Sequence, residues 1–257
     1  MNSTKPISDY KSQAKDQLLG NYGVAIGSFV IIFAIFYGIF VAIMGAYGTW
    51  NIGTLANAGT ITAAAYIKDE IATIVITFVA GSIFSVLNAG YIRMLMEISR
   101  GVRPKVSDVF YCIKNHPDKA IVMYLILAAI QVIVLLPSTI LAYFVNTQNA
   151  MNGKTFFYYI LATVIGYIIY IYFSATFAMC FFVYVDDQDA TAIECLKVSA
   201  RIMKGQKLRY LYIILSLIGY FLLGVLSLGI GMLYVTAYEN MIIVNMYKDL
   251  LGVAHED

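Results

Sequence analysis

The chain has 257 residues, of which 61% are hydrophobic and only 12% are charged. Soluble domains usually carry about 25% charged and about 45–50% apolar residues, so the composition excludes an ordinary soluble domain and indicates a polytopic membrane protein. The net charge of +2 is too small to indicate nucleic-acid binding, and the basic residues lie beside the apolar runs, where membrane topology accounts for them.

The chain begins with a polar segment, 1–20, that holds three lysines and lacks the apolar core of a signal peptide. The apolar run that follows is too long for a cleavable signal, so we expect the first span to remain in the mature protein and 1–20 to form a cytoplasmic tail. The three cysteines show no C-x-x-C spacing, and the sequence therefore predicts neither a disulfide framework nor a zinc site.

Four uncharged stretches predict transmembrane helices at 21–47, 71–92, 120–145 and 155–185. Each exceeds the roughly 20 residues that cross the hydrocarbon core, and solid apolar runs indicate helices rather than the alternating strands of a barrel. The last apolar stretch could be one long helix with a short tail, or two spans at 210–228 and 229–247. The glycines of the segment LSLGIG at 226–231 favour a turn, and therefore six spans.

The positions of lysine and arginine predict the orientation. Fifteen of the 17 basic residues fall in the N-terminal tail, the even connections and the C-terminal tail, and only Lys68 and Lys154 fall on the other side. Because basic residues are retained in the cytoplasm, both termini should be inside the cell. The prediction is a single integral domain, 1–257, that is an all-α polytopic membrane bundle of the plasma membrane.

Three cytoplasmic segments read as short amphipathic helices, each leading into a span. The first runs from Ser8 to Leu19, the second from Pro104 to Asn115, and the third from Asp187 to Gly205. Capping residues begin and end each one, and the basic residues on their polar sides suit helices that lie on an anionic inner leaflet. The predicted apolar faces of the second and third are Val109, Phe110 and Ile113, and Ile193, Leu196, Ala200 and Met203. A triplicated unit and three independent hairpins both explain the pattern.

Glu239 is the candidate binding residue, because it is the only acid deep inside a predicted span. An intramembrane acid is costly and usually faces a bundle interior or a polar cavity. Tyr238, Asn240 and Asn245 share its helix and complete the predicted binding group. The alternative interpretation is a protonated glutamate that only bonds to a neighbouring helix.

Catalytic motifs are not apparent in the sequence. Asp186, Asp187 and Asp189 could hold magnesium and a diphosphate, but enzymes of that kind need a second acidic motif, and helix capping is the simpler explanation. His116 and His255 are far apart and lack a metal-site arrangement. We therefore predict no enzymatic activity, no metal and no cofactor.

An ordered series of segments lies in the C-terminal third: LKVSARIMKGQK at 196–207, LSLIGY at 215–220, LGIG at 228–231, AY at 237–238 and MY at 246–247. The series resembles an uncharacterised bacterial family of six-span integral membrane proteins, defined as a domain of unknown function. That family is similar to the membrane region attached to some glycerophosphodiester phosphodiesterases. The resemblance implies six spans and no catalytic residues. One departure is Ala237, where the family pattern has a proline that would kink the last span.

The same resemblance supports a cytoplasmic interfacial segment from Ser199 to Lys207, whose candidate residues are Ser199, Arg201, Lys204, Gly205 and Lys207. Together with the other basic segments it favours a non-enzymatic membrane module that binds membrane lipids of the anionic inner leaflet or a protein partner. The alternative is a small transporter or lipid-handling protein that uses Glu239 in an intramembrane cavity. A third interpretation is an intramembrane enzyme built on the three aspartates.

Overall fold

The computed structural model of the protein describes residues 5–47, 63–147 and 153–255. All regular structure in these ranges is helical, which confirms the all-α prediction. Residues 1–4 of the predicted tail lie outside the described residues. The helices are α1 Ile7–Leu18, α2 Tyr22–Tyr47, α3 Ala63–Ser99, a 3₁₀ helix Val106–Phe110, α4 Tyr111–Lys114, α5 Pro117–Thr147, α6 Gly153–Thr176, α7 Cys180–Asp186, α8 Ala192–Ile202, α9 Lys207–Leu215, α10 Ile218–Leu226 and α11 Ile230–His255.

Five stretches of the described chain are long and apolar enough to cross a membrane, which supports a multi-pass protein. They are Tyr22–Ile43, Glu70–Ser99, Pro117–Phe144, Gly153–Asp186 and Lys207–Leu226. Each overlaps one of the first five predicted spans. The predicted span 229–247 is not among them, because Glu239, Asn240 and Asn245 make α11 more polar than the other long helices. The six-span topology therefore stays a prediction.

The chain divides into two compact units. Unit 1 contains the described residues of 1–34, 84–123 and 175–257, and unit 2 those of 35–83 and 124–174. The single membrane domain stays a prediction.

Helix α11 forms the core of unit 1. A nearly continuous run of its side chains, from Met241 to Tyr247, is buried. Helix α1 packs against it with a face made of Tyr10, Ala14 and Leu18, which are four residues apart and fully buried. The two helices are also joined by the Tyr10 hydroxyl, which donates to Asp249 Oδ2 at 2.6 Å. The apolar face of α1, the first predicted amphipathic helix, thus contacts protein.

Unit 2 has few buried side chains among its described residues, and those few are mostly small: Ala72, Ile76, Ala80, Ala128 and Ser138. Most of its large apolar side chains are exposed, which suits contact with lipid tails. One close contact in this unit joins α3 to α5, where the Tyr124 hydroxyl lies against Gly81 and donates to the Thr77 carbonyl oxygen at 3.0 Å.

The predicted glycine turn separates α10 from α11. Leu228 and Gly229 take left-handed conformations with φ of 58° and 86°. A methyl group on Gly231 would lie 3.0 Å from the Gly224 Cα, so the two helices can meet this closely only because both positions are glycine. Two helices, rather than one long helix, therefore occupy this stretch.

The predicted fourth span is divided into α6 and α7, a break that no glycine or proline in the sequence marks. Ser199 of α8 lies at the break, where its hydroxyl donates to the Thr176 carbonyl oxygen and accepts from the Met179 N–H, both at 3.2 Å. These bonds satisfy backbone groups that the interrupted helix leaves unpaired. The serine is fully buried and supports the adjoining helices.

The buried faces of the second and third amphipathic segments match the predicted faces only in part. Val109, Leu196 and Met203 are buried, but Ile113 and Ile193 are exposed, because Cys112 and Cys195 point inward instead. Helix α8 begins after Thr191 rather than at Asp187. The reason is local: the Thr191 N–H donates to Glu194 Oε2 at 2.8 Å and the Glu194 N–H donates to Thr191 Oγ1 at 3.3 Å, a reciprocal capping pair.

Candidate functional site

A cavity of about 350 Å³ lies in unit 1, beside the C-terminal end of α3. Three of its lining residues, Arg93, Met96 and Glu97, lie three and four positions apart on one face of α3, and Arg100 directly follows the end of the helix. The lining residues are Arg93, Met96, Glu97, Arg100, Tyr111, Val185, Asp186 and Gln188. We call this cavity the arginine pocket.

Arg93 is held between α3 and the start of α4. Its Nε donates to Glu97 Oε1 at 3.2 Å, and its Cζ lies 3.2 Å from the centre of the Tyr111 ring. Its Nη1 is buried, and no hydrogen-bond acceptor reaches it within the described part of the chain. Because Nη1 has no acceptor there, part of the hydrogen-bonding capacity of the guanidinium is unused. A buried donor without a partner destabilises the fold by about 1–3 kcal/mol.

Gly90 allows Tyr111 to reach Arg93. A methyl group at Gly90 would lie 1.8 Å from the Val109 carbonyl oxygen, so the 3₁₀ helix rests directly on the backbone of α3. Tyr111 follows two residues after Val109, and Arg93 lies one helical turn after Gly90. The guanidinium donates a hydrogen bond toward the Tyr111 phenol and holds its pKa below the usual range.

Arg100 closes the other end of the pocket. Its Nη2 donates to Asp186 Oδ1 at 2.7 Å, and the second oxygen of that carboxylate accepts from the Tyr247 hydroxyl at 3.4 Å. Nearby, the Lys248 Nζ donates to the Ser99 carbonyl oxygen at 3.0 Å. Partial burial, and then the charge of Arg100, lower the pKa of the Lys248 amine.

The acidic cluster at the end of α7 is divided between two roles. Asp186 lines the pocket and pairs with Arg100, whereas Asp187 Oδ1 accepts from the N–H groups of Asp189 and Ala190 at 3.1 and 3.3 Å. The second set of bonds shapes the loop that carries Gln188. No cluster of three or more His, Cys, Asp or Glu side chains suited to a metal ion occurs in the described ranges.

The arrangement can recognise a small polar group. Two guanidinium groups and two carboxylates line the pocket, so the formal charges of its lining balance. Arginine offers five N–H donors in a planar fork that suits phosphate and carboxylate oxygens. These groups suit the binding of a small polar ligand.

The predicted group around Glu239 is spread over separate contacts. The Tyr238 hydroxyl donates to the Lys11 carbonyl oxygen at 3.2 Å, and the Asn240 amide donates to the Thr236 carbonyl oxygen at 2.8 Å. Asn245 is buried, and its amide nitrogen has no acceptor among the described residues. Glu239 is partly buried and forms no hydrogen bond or ion pair with that part of the chain. Its role as a binding residue stays a prediction.

The predicted segment from Ser199 to Lys207 divides by exposure. Ser199 is buried, whereas Arg201 and Lys204 are exposed at the end of α8. Gly205 has φ of 83° and reverses the chain before Lys207 begins α9. The exposed pair can meet anionic groups outside the protein, and the serine and glycine shape the segment that carries it.

Sequence reasoning missed the arginine pocket. In the sequence, Arg93 and Arg100 indicate only membrane topology. The spacing of Arg93, Glu97 and Arg100 at the end of α3 could have indicated a polar surface, but their partners Tyr111 and Asp186 come from distant parts of the chain. That pairing depends on the fold.

A family model described as "Protein of unknown function (DUF975)" matches residues 1–254. The chain belongs to this family. The match covers almost the whole chain, far beyond the C-terminal segments that carried the resemblance, and so confirms a family defined as a domain of unknown function. No curated protein and no solved structure shows significant similarity to the chain.

Proposed function

We propose that the protein is a non-enzymatic integral membrane module that binds lipid at the anionic inner leaflet through unit 1. The observation that carries this proposal is the distribution of charge: 15 of the 17 basic residues belong to unit 1, and only Lys68 and Lys154 belong to unit 2. Basic residues concentrated beside apolar helices favour contact with anionic headgroups.

The proposal includes six spans with both termini in the cytoplasm of a plasma membrane. The contact between α1 and α11 supports an even number of crossings. Lys5 and Tyr10 reach Asp249 at 3.7 and 2.6 Å, so the first and last helices meet near the two ends of the chain. Five crossings would leave these ends on opposite sides of the membrane.

A pair of reporter fusions tests the topology. Six spans predict that a reporter after residue 257 gives the same cytoplasmic signal as a reporter before residue 1. Opposite signals would show an odd number of crossings and would exclude α11 as the sixth span.

Native mass spectrometry of the full chain released from nanodiscs tests lipid binding, with the retained lipids identified. We expect anionic lipids to be enriched over their share of the bilayer. The double variant Arg201→Glu/Lys204→Glu should reduce this enrichment, because both side chains are exposed on unit 1. The matched control is Lys68→Glu/Lys154→Glu, which changes the net charge equally but alters exposed residues of unit 2.

Retained lipid in proportion to the bilayer, in the native chain and both variants, would contradict the proposal. Equal losses in the two double variants would show a general effect of net charge rather than a binding surface on unit 1.

A second candidate function is a small transporter or lipid-handling protein that uses Glu239. The favouring observation is that this acid precedes the buried run from Met241 to Tyr247 on α11 and has no partner in the described residues. Glu239→Gln should then abolish a flux or remove a retained ligand while the protein stays folded. Unchanged flux and ligand content in the folded variant would remove the carboxylate from the mechanism.

The proposal also includes the more specific family resemblance that the sequence suggests. We place the chain among bacterial members of the family and relate it to the membrane region attached to some glycerophosphodiester phosphodiesterases. In this interpretation the family supplies a membrane module, and any catalytic activity resides in other proteins or domains.

A further inference from the structure

The arginine pocket lies where two stretches capable of crossing a membrane come to an end. Glu70–Ser99 ends beside Arg100, and Gly153–Asp186 ends at the aspartate that pairs with this arginine. The ends of membrane spans lie at the level of lipid headgroups. The pocket is therefore at the depth at which a phosphate of the bilayer can enter it.

The charges of the pocket indicate what kind of headgroup fits. Arg93 and Arg100 are each paired with one carboxylate, so the lining is neutral before a ligand enters. A purely anionic ligand would bring uncompensated charge into this setting, whereas a zwitterion brings none. Arg93 lines the pocket and pairs with Glu97 through its Nε, so its guanidinium keeps further N–H donors for a phosphate oxygen.

We infer that the arginine pocket binds a phosphate group that carries a primary ammonium, as in a phosphoethanolamine headgroup, an inference that rests on the proposed lipid-binding function. Arg93 donates to the phosphate, and the carboxylates of Glu97 and Asp186 accept from the ammonium. Both carboxylates line the pocket, and each keeps lone pairs beyond those used by its arginine. A cavity of about 350 Å³ accommodates such a headgroup.

The ammonium contacts predict discrimination between closely related lipids. A trimethylated headgroup such as phosphocholine has the same net charge but no N–H to donate. A glycerol headgroup such as phosphatidylglycerol lacks the cation altogether. The pocket should therefore prefer ethanolamine lipids to both, even though choline lipids match its charge balance.

The experiment uses the full chain in nanodiscs that contain equal parts of ethanolamine, choline and glycerol phospholipids, followed by native mass spectrometry at rising collision energy. We expect the last retained lipid to be the ethanolamine lipid, enriched roughly tenfold over the choline lipid, the factor that one charge-assisted contact gives. Arg93→Gln should abolish this enrichment. Arg103→Gln is the matched control, because Arg103 is exposed and does not line the pocket.

A second variant keeps the test valid if Arg93→Gln fails to fold. Glu97→Gln has nearly the same shape and should remove the preference for ethanolamine over choline lipid while a phospholipid is still retained. Thermal unfolding of each variant, followed by circular dichroism, identifies any loss that comes from misfolding.

Equal retention of ethanolamine and choline lipids by the native chain, or an ethanolamine preference that persists in Arg93→Gln, would overturn the inference. Soluble phosphoethanolamine distinguishes the two sources of this chemistry: binding of the free compound in detergent without retention of the lipid would identify a soluble ligand. Enrichment of anionic lipids without an ethanolamine preference would leave the proposed function standing and reject the inference alone. An Arg93-dependent ethanolamine preference without anionic enrichment would support the inference and reject the proposed binding of anionic lipid.

Discussion

Unit 1 and unit 2 differ in their number of charged residues and in the burial of their large side chains. All but two of the 17 basic residues and all but two of the 15 acidic residues belong to unit 1, the exceptions being Lys68, Asp69, Glu70 and Lys154. Large side chains such as Tyr10, Tyr184 and Tyr247 are buried in unit 1, whereas most large apolar side chains described in unit 2 are exposed. The two units of the chain thus differ in both charge and burial.

This difference in charge and burial indicates what stabilises each unit. The part of unit 1 around α1 and α11 buries apolar side chains, as the core of a soluble domain does, whereas α9 and α10 of the same unit expose most of theirs. Unit 2 presents apolar side chains to its surroundings, and between helices in lipid there is little hydrophobic driving force, so its helices depend on close packing and on the bilayer. Equivalent substitutions should therefore have unequal effects in the two units.

Truncating a buried apolar side chain in each unit should give the largest contrast. Leu18→Ala removes a side chain of unit 1 that has no exposed surface, and we expect a loss of about 2–5 kcal/mol in the free energy of unfolding. Ile168→Ala truncates a side chain of unit 2 that is 62% exposed, and the loss should be near zero. Unfolding in detergent by a denaturant series measures both. Equal losses would erase the proposed distinction between the units.

Adding a methyl group tests the packing of α3 at two positions, one in each unit. Gly90→Ala in unit 1 would place Cβ 1.8 Å from the Val109 carbonyl oxygen, which is backbone and cannot move aside cheaply, so we expect a loss of about 3 kcal/mol. Gly81→Ala in unit 2 would meet the tip of the Tyr124 side chain, which can rotate away. The second loss should be clearly smaller in the same assay. The reverse order would mean that unit 2 is the more tightly packed.

Removing one hydroxyl tests the contact between α1 and α11. Tyr10→Phe deletes the donor to Asp249, whose side chain is only 8% exposed, and should cost about 1.5 kcal/mol, as for a hydrogen bond to a charged group. Hydrogen exchange should then accelerate in α1. The control is Tyr167→Phe, an exposed tyrosine of unit 2, for which exchange in α1 should not change.

The smallest expected effect concerns pH and the start of α8. Hydrogen bonds from Thr191 hold the pKa of Glu194 below its ordinary value. A carboxylate with a lowered pKa stabilises the folded form above its ordinary pKa, and that contribution is lost as pH falls through the lowered value. Hydrogen exchange at the first turn of α8, corrected for the intrinsic rate, should accelerate in this acidic window. Glu194→Gln should show no such acceleration, and a variant that still showed it would point to another titrating group.

The sequence was sufficient for the features that depend on local pattern. Solid apolar runs located the helices long enough to cross a membrane, and the glycines near Leu228 located the turn between α10 and α11. Helical spacing also predicted amphipathic segments, although it favoured Ile193 over Cys195 as a buried residue. Composition cannot decide which of two neighbouring apolar residues points inward, because that depends on what packs against the helix.

Features that depend on distant partners could not be predicted. The break between α6 and α7 is stabilised by Ser199, whose hydroxyl accepts a hydrogen bond from the N–H of Met179, 20 residues earlier in the chain. The arginine pocket combines Arg93 with Tyr111, and Arg100 with Asp186, across separate helices. A lone acid in an apolar run, such as Glu239, can be recognised from the sequence alone. Paired charges at the ends of spans resemble ordinary topology signals.

The contact between Tyr10 and Asp249 joins residues 239 positions apart, and this has a consequence for synthesis. Helix α1 leaves the ribosome well before α11, the helix on which its apolar face packs. Until α11 has been made, Tyr10, Ala14 and Leu18 lack this cover and need lipid or a chaperone in its place. A nascent chain that stops before α11 would therefore expose the apolar face of α1.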